Sequence, residues 1–135
     1  MAGTNAGQSF NTFPLMNGSI FPEGYIIDYY GLHNIFENTI AINFNHRWIG
    51  SFTFIYILSL TIYLLLSSKI TIKSISLFAV LFFSSLQFFL GILTLLSNVK
   101  ISFASLHQSN SVLLLASLLF AYYQFKNNAN KLNSL

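Results

Sequence analysis

Apolar residues along this chain gather into three long runs, separated by short polar breaks and preceded by an irregular, aromatic-rich stretch. Residues 1–33 are punctuated by Pro14, Gly18, Pro22, Gly24 and Gly31, which break any regular run. Asn34-Ile35-Phe36-Glu37 then fits a capping box, with Asn34 as N-cap and Glu37 reaching back to its amide. From there one helix is expected to run to about Leu66. Its first turns hold Asn43, Asn45, His46 and Arg47, and its remainder is apolar. Ser67 to Lys73 is a polar break, Ile75 to Leu96 a second run, Ser97 to Ser102 a second break, and Phe103 to Phe125 a third run. Each run is near the roughly 20 residues that an α-helix needs to cross the hydrocarbon core. The pattern predicts an all-α membrane protein: an outward loop or cap over 1–37, transmembrane helices over 38–66, 74–96 and 103–125, and a polar tail over 126–135. Short connections make successive helices antiparallel.

Charge sharpens this picture. Charged residues make up 7% of the 135 residues, where a soluble domain carries about 25%. The net charge of +3 is scattered, which excludes a nucleic-acid partner. Lys69 and Lys73 lie in the first break and Lys126 and Lys131 in the tail. By the positive-inside rule that side faces the cytoplasm or matrix, as in a bacterial cytoplasmic or mitochondrial inner membrane. The 1–37 segment and both His46 and His107 then fall on the outward side. Tyr25, Tyr29 and Tyr30 resemble one interfacial belt, Tyr122 and Tyr123 another. With no cysteine, disulfides, zinc thiolates and thiolate-ligated heme are excluded.

Ionisable groups inside a bilayer are costly, so the few present are functional candidates. His46 and His107 sit at matched depth near the outward ends of two helices, the arrangement that axial ligation of one heme iron requires. Gly50 and Ser111 each follow a histidine by four residues, giving low relief one turn deeper on the same face. The middle helix offers Ser84, Gln87, Gly91 and Thr94 as a small and polar stripe. Arg47 is placed to grip a heme propionate by two hydrogen bonds. Each feature also has a plain structural reading. A single histidine can be a polar helix-end residue, the stripe can be helix packing, and Arg47 can snorkel to lipid headgroups. His33 reads as an exposed loop residue and Glu37 as a cap. Phosphate loops, hydrolase triads, zinc spacings and carboxylate-bridged iron sites find no match.

Several strings occur in a specific order: Ala-Gly-Thr-Asn-Ala-Gly (2–7), Ser-Phe-Asn-Thr-Phe-Pro-Leu-Met (9–16), Phe36-Glu37-Asn38, Phe44-Asn45-His46-Arg47, Leu90-Gly91-Ile92 with Thr94-Leu95-Leu96, and Leu106-His107-Gln108-Ser109. Together they resemble the C-terminal half of heme A synthase, the CtaA-type family of cytochrome oxidase assembly. The resemblance implies an eight-helix, pseudo-symmetric oxidoreductase of two four-helix halves. In it, one half binds heme B through two histidines, and the other oxidises the C8 methyl of heme O to a formyl group. His46 falls on the family's FNHR-like motif and His107 on its LHQ-like motif, the axial ligands of heme B. The three helices would then form part of a four-helix heme-binding half-bundle. Implied partners are membrane lipid, the heme O substrate, the N-terminal half, heme O synthase and an electron donor. The chain departs from the family in lacking that N-terminal half and the first helix of its own half. It reads as a fragment, a split-gene product or a truncated copy, and activity of this chain alone is left open. Two readings compete with a portion of the synthase: a bis-histidine cytochrome b that only transfers electrons, and a heme-free membrane scaffold.

Overall fold

The computed structural model describes residues 4–67 and 71–133, and among these it is helical, with no β-strand beyond a single bridge between Met16 and Ser19. A short helix α1 (Asn34–Glu37) precedes three long ones, α2 (Thr39–Ser67), α3 (Thr71–Leu96) and α4 (Ile101–Asn133). All three long helices are long and apolar enough to cross a membrane. Helix is the form such runs must take there, since hydrocarbon offers the backbone no hydrogen-bond partner outside its own segment. Their large apolar side chains point outward in number, Ile49 at 65%, Phe52 at 63% and Leu66 at 83% exposure, as suits lipid or further membrane helices.

The middle helix α3 is the centre of the bundle: it packs extensively on α4 and over a smaller area on α2. Leu77, Val80, Ser84, Leu90 and Leu95 of α3 are buried, as are Asn110, Ser117 and Ala121 of α4. The small side chains among them allow close approach of the helix backbones. Between α3 and α4 the chain reverses through Asn98 and Val99, both in the left-handed region (φ 54° and 58°). There the Val99 N–H donates to the Thr94 carbonyl at 2.8 Å, and the Lys100 N–H donates to the Ser97 hydroxyl at 3.3 Å.

Helix boundaries differ from expectation in two places. The expected single helix from Asn34 is broken at Asn38, whose ψ of 112° is extended. Asn38, not Asn34, caps the long helix: its Oδ1 accepts from the Ile40 N–H at 3.0 Å, the usual N-cap bond. Asn34 instead serves the preceding loop, donating to the Tyr25 carbonyl at 2.6 Å and accepting from the Ile27 N–H at 3.0 Å. The Asn38 amide also donates to the Gly24 carbonyl at 2.7 Å, so the cap is stitched to the segment it must turn. Asn38→Ala is expected to cost about 1–2 kcal/mol, read as faster amide exchange in the first turn of α2. Glu37→Ala, at an exposed position, should leave that exchange unchanged.

The second difference is at the C-terminus, where α4 continues through the expected tail to Asn133. No glycine or proline follows Gly91, and Lys, Leu, Ala and Gln are good helix formers. Nothing therefore stops the helix where its apolar face ends. Lys69, one of the residues on which the orientation rests, lies outside the described residues, as does Met1–Gly3.

Candidate functional site

A cavity of about 640 Å³ opens between the three long helices, at the end where α2 and α4 begin. It lies within the ordinary size range of small-molecule and cofactor sites. His46 and Gly50 of α2 line it, as do Ser84, Gln87, Gly91 and Thr94 of α3, and His107 and Ser111 of α4. Helices α2 and α4 both begin at this end. The two histidines are 61 positions apart in sequence and share one space because α3 folds back between them. Phe54 of α2 stacks flat on Phe88 of α3 (centroids 4.5 Å apart, planes 7° from parallel), forming part of the wall.

His107 is held closely. A Cβ placed on Gly91 would meet its ring at Cε1, 3.1 Å away, so glycine there makes a cradle that fits an imidazole and no more. Gln87 Nε2 lies 3.4 Å from His107 Nε2. Asn110, one turn further along α4, donates through Nδ2 to Gln87 Oε1 at 2.8 Å and to the Phe83 carbonyl at 3.0 Å. Two buried atoms here lack a partner, His107 Nδ1 and Asn110 Oδ1. Gly91→Ala should displace the His107 ring by a few tenths of an ångström, and is expected to weaken any ligand held by that imidazole by about 10-fold, the lower end for a support lost around a metal ligand. A binding isotherm of the variant measures it.

The segment before α1 roofs the cavity. Asn5, Gly7, Gln8 and Phe13 line it from above, and Phe13 meets Phe88 edge-on at 6.1 Å. Arg47 organises this roof. Its Nε–H donates to Asn43 Oδ1 at 2.6 Å, one terminal nitrogen donates to the Thr12 carbonyl at 2.6 Å and the other to the Phe10 carbonyl at 2.5 Å. Fully buried Asn43 in turn donates to the Ala6 carbonyl at 2.6 Å. Beyond Arg47, Asn11 donates to the Leu95 carbonyl at 2.9 Å, tying the roof to α3. A two-residue turn at Asn17-Gly18, both with positive φ, closes the Met16–Ser19 pair. An aromatic ladder of Phe21, Tyr25, Phe44, Trp48 and Phe52 continues from the segment down α2.

Residues 1–119 match the model of the COX15-CtaA family, described as cytochrome oxidase assembly protein. The chain belongs to that family. Among curated relatives it is 38% identical over 130 residues to a heme A synthase of Wolbachia pipientis subsp. Culex pipiens, covering 94% of this chain and 36% of the relative. It is 36% identical over 115 residues to that of Bartonella tribocorum (85% of this chain, 32% of the relative). With that of Pelagibacter ubique it shares 34% identity over 129 residues (94% and 37%). The chain thus spans about a third of the length of the heme A synthases it matches. No solved structure matches.

Of the residues singled out from the sequence of this family member, His46, His107, Arg47, Gly50 and Ser111 all line the cavity. His33 and Glu37 are exposed and lie away from it. Tyr122 and Tyr123 are exposed on the far part of α4. Sequence reasoning missed Asn43, Asn110 and the Phe54–Phe88 stack. The available signal was spacing: Asn43 and Asn110 each stand three positions from a histidine, on its helical face.

Proposed function

We propose that this chain is the heme-B-binding portion of a heme A synthase, with His46 and His107 as axial ligands, acting in heme A biosynthesis. The observation that carries the reading is the convergence of two imidazoles on one roofed, largely apolar cavity at the end of the bundle where α2 and α4 begin. The donor set suits such a group. Among the described residues no cluster of three His, Cys, Asp or Glu could hold a bare metal ion. A heme macrocycle supplies four ligands to its iron, and two imidazoles can fill the two positions that remain. The glycine cradle that leaves room for the His107 ring fits the same group.

When bound, heme B would supply one-electron chemistry to the oxidation of the heme O methyl group, which the resemblance assigns to the other half of the synthase. This chain's own residues would bind and orient. Each histidine would present a neutral ring nitrogen. Phe54, Phe88 and Phe13 would exclude water, and the roof would shield the edge of the site. Arg47 has five N–H donors, three of them engaged by the roof and Asn43. The remaining two would be available to a propionate. Heme O, a partner supplying the N-terminal half, heme O synthase and an electron donor belong to the same proposal.

Addition of heme B to the full chain in lipid nanodiscs tests the ligand assignment. A saturable, stoichiometric, low-spin six-coordinate spectrum is expected. Binding without saturation, or a spectrum that stays high-spin, would remove the bis-histidine assignment.

A further inference from the structure

We propose that Gln87 is a positioning residue for His107, the end of a short amide relay that fixes which ring nitrogen carries the lone pair. The relay starts at a group whose polarity is beyond doubt. A backbone carbonyl only accepts, so the Asn110 amide facing the Phe83 carbonyl at 3.0 Å must present its NH2 there. That same NH2 lies 2.8 Å from the neighbouring Gln87 amide, whose facing atom is therefore its oxygen. Gln87 is left with its own NH2 toward His107 Nε2, at 3.4 Å. An amide nitrogen has no lone pair to offer. His107 Nε2 is consequently the acceptor, and the ring proton sits on Nδ1.

This arrangement runs against the ordinary preference of a neutral imidazole, which keeps its proton on Nε2. It also leaves the Nδ1–H buried without an acceptor, so something must hold it, and the relay is the group in contact. The Gln87 contact is longer than the usual 2.9–3.0 Å, so it aims the lone pair without tying it up. A metal arriving at Nε2 would displace a weak donor only. Gly91 holds the ring from another side, as no side chain there would leave room. Sequence spacing alone left Gln87 as one member of a small-residue stripe. The structure gives it a separate role, which rests on the heme reading for its purpose and stands on hydrogen bonds for its existence.

The test uses the full chain without heme in nanodiscs, labelled with 15N-histidine. In the wild type, His107 Nε2 should resonate as a pyridine-type nitrogen and Nδ1 as a pyrrole-type nitrogen. Gln87→Met keeps the length and loses the donor; the pyridine-type signal should move to Nδ1. Asn110→Leu frees the Gln87 amide to turn, and should give the same exchange in part. Unshifted His46 signals report that both variants are folded. A wild-type His107 protonated on Nε2, or a Gln87→Met variant that keeps the proton on Nδ1, overturns the relay. Because the spectra are recorded without heme, failure of the wild type to bind heme B strikes the functional proposal and not this one.

Discussion

His46→Ala and His107→Ala should each abolish the low-spin spectrum of the heme-loaded chain. Both side chains line the same cavity, so on the proposed reading removing either would leave heme B held by a single imidazole or unbound. Loss of an outer partner of a metal ligand costs about 10- to 100-fold in affinity, and loss of the ligand itself should exceed this, on the order of 100-fold or more. His33→Ala should change nothing, since His33 is exposed and outside the cavity. Optical titration and electron paramagnetic resonance of the three variants give the answer together. If both cavity variants retain low-spin heme, the heme lies elsewhere or is not held by these residues, and the scaffold reading takes its place.

The second large effect should come from Arg47→Met. Its guanidinium bonds to two loop carbonyls and to Asn43, and hydrogen bonds to a charged group contribute about 1.5–3 kcal/mol each. They act as one unit, so their loss is not additive. About 3 kcal/mol for the whole clasp is a fair expectation, equivalent to roughly 100-fold in an opening equilibrium. Hydrogen exchange across residues 8–17 should accelerate by that factor while the cores of α3 and α4 stay protected. Arg47→Lys should not rescue it, because one ammonium cannot span three acceptors fixed in a planar fork. Unchanged protection of the roof in Arg47→Met would show that Phe13 on Phe88 and Asn11 on Leu95 suffice to hold it.

The clasp also explains how a charged side chain sits at the edge of a membrane helix. Arg47 needs no acidic partner when two carbonyls and a buried asparagine accept hydrogen bonds from its N–H groups. Those carbonyls would otherwise lack donors in a tight, non-helical loop. Snorkelling to headgroups and gripping a propionate were the two uses legible in the sequence. The use seen here depends on a loop some 35 residues earlier in the chain, which no local pattern announces.

Long-range polar contacts of this kind account for the other differences as well. Asn34 and Asn38 are both good caps by residue type, and each is followed by a residue that tolerates the first helical turn. The choice between them falls to Asn38 because its amide also reaches the Gly24 and Tyr25 carbonyls, whereas Asn34 is engaged by Tyr25 and Ile27. The polar tail misled for a different reason. Its composition marks where the chain leaves the hydrocarbon, yet leaving lipid does not end a helix unless a breaker or a cap follows.

From the sequence alone came the helical class, the three spanning runs and the pairing of His46 with His107 at one depth. These are set by the cost of exposing backbone and charge to hydrocarbon, a cost that every residue bears locally and that apolar length and charge position therefore record. Only the tertiary structure decided the rest: the break at Asn38, the use of Arg47 as a clasp, and the relay from Phe83 through Asn110 and Gln87 to His107. Each is a hydrogen bond between groups distant in sequence. Its existence depends on where the backbone comes to lie, and one-dimensional spacing carries no trace of that.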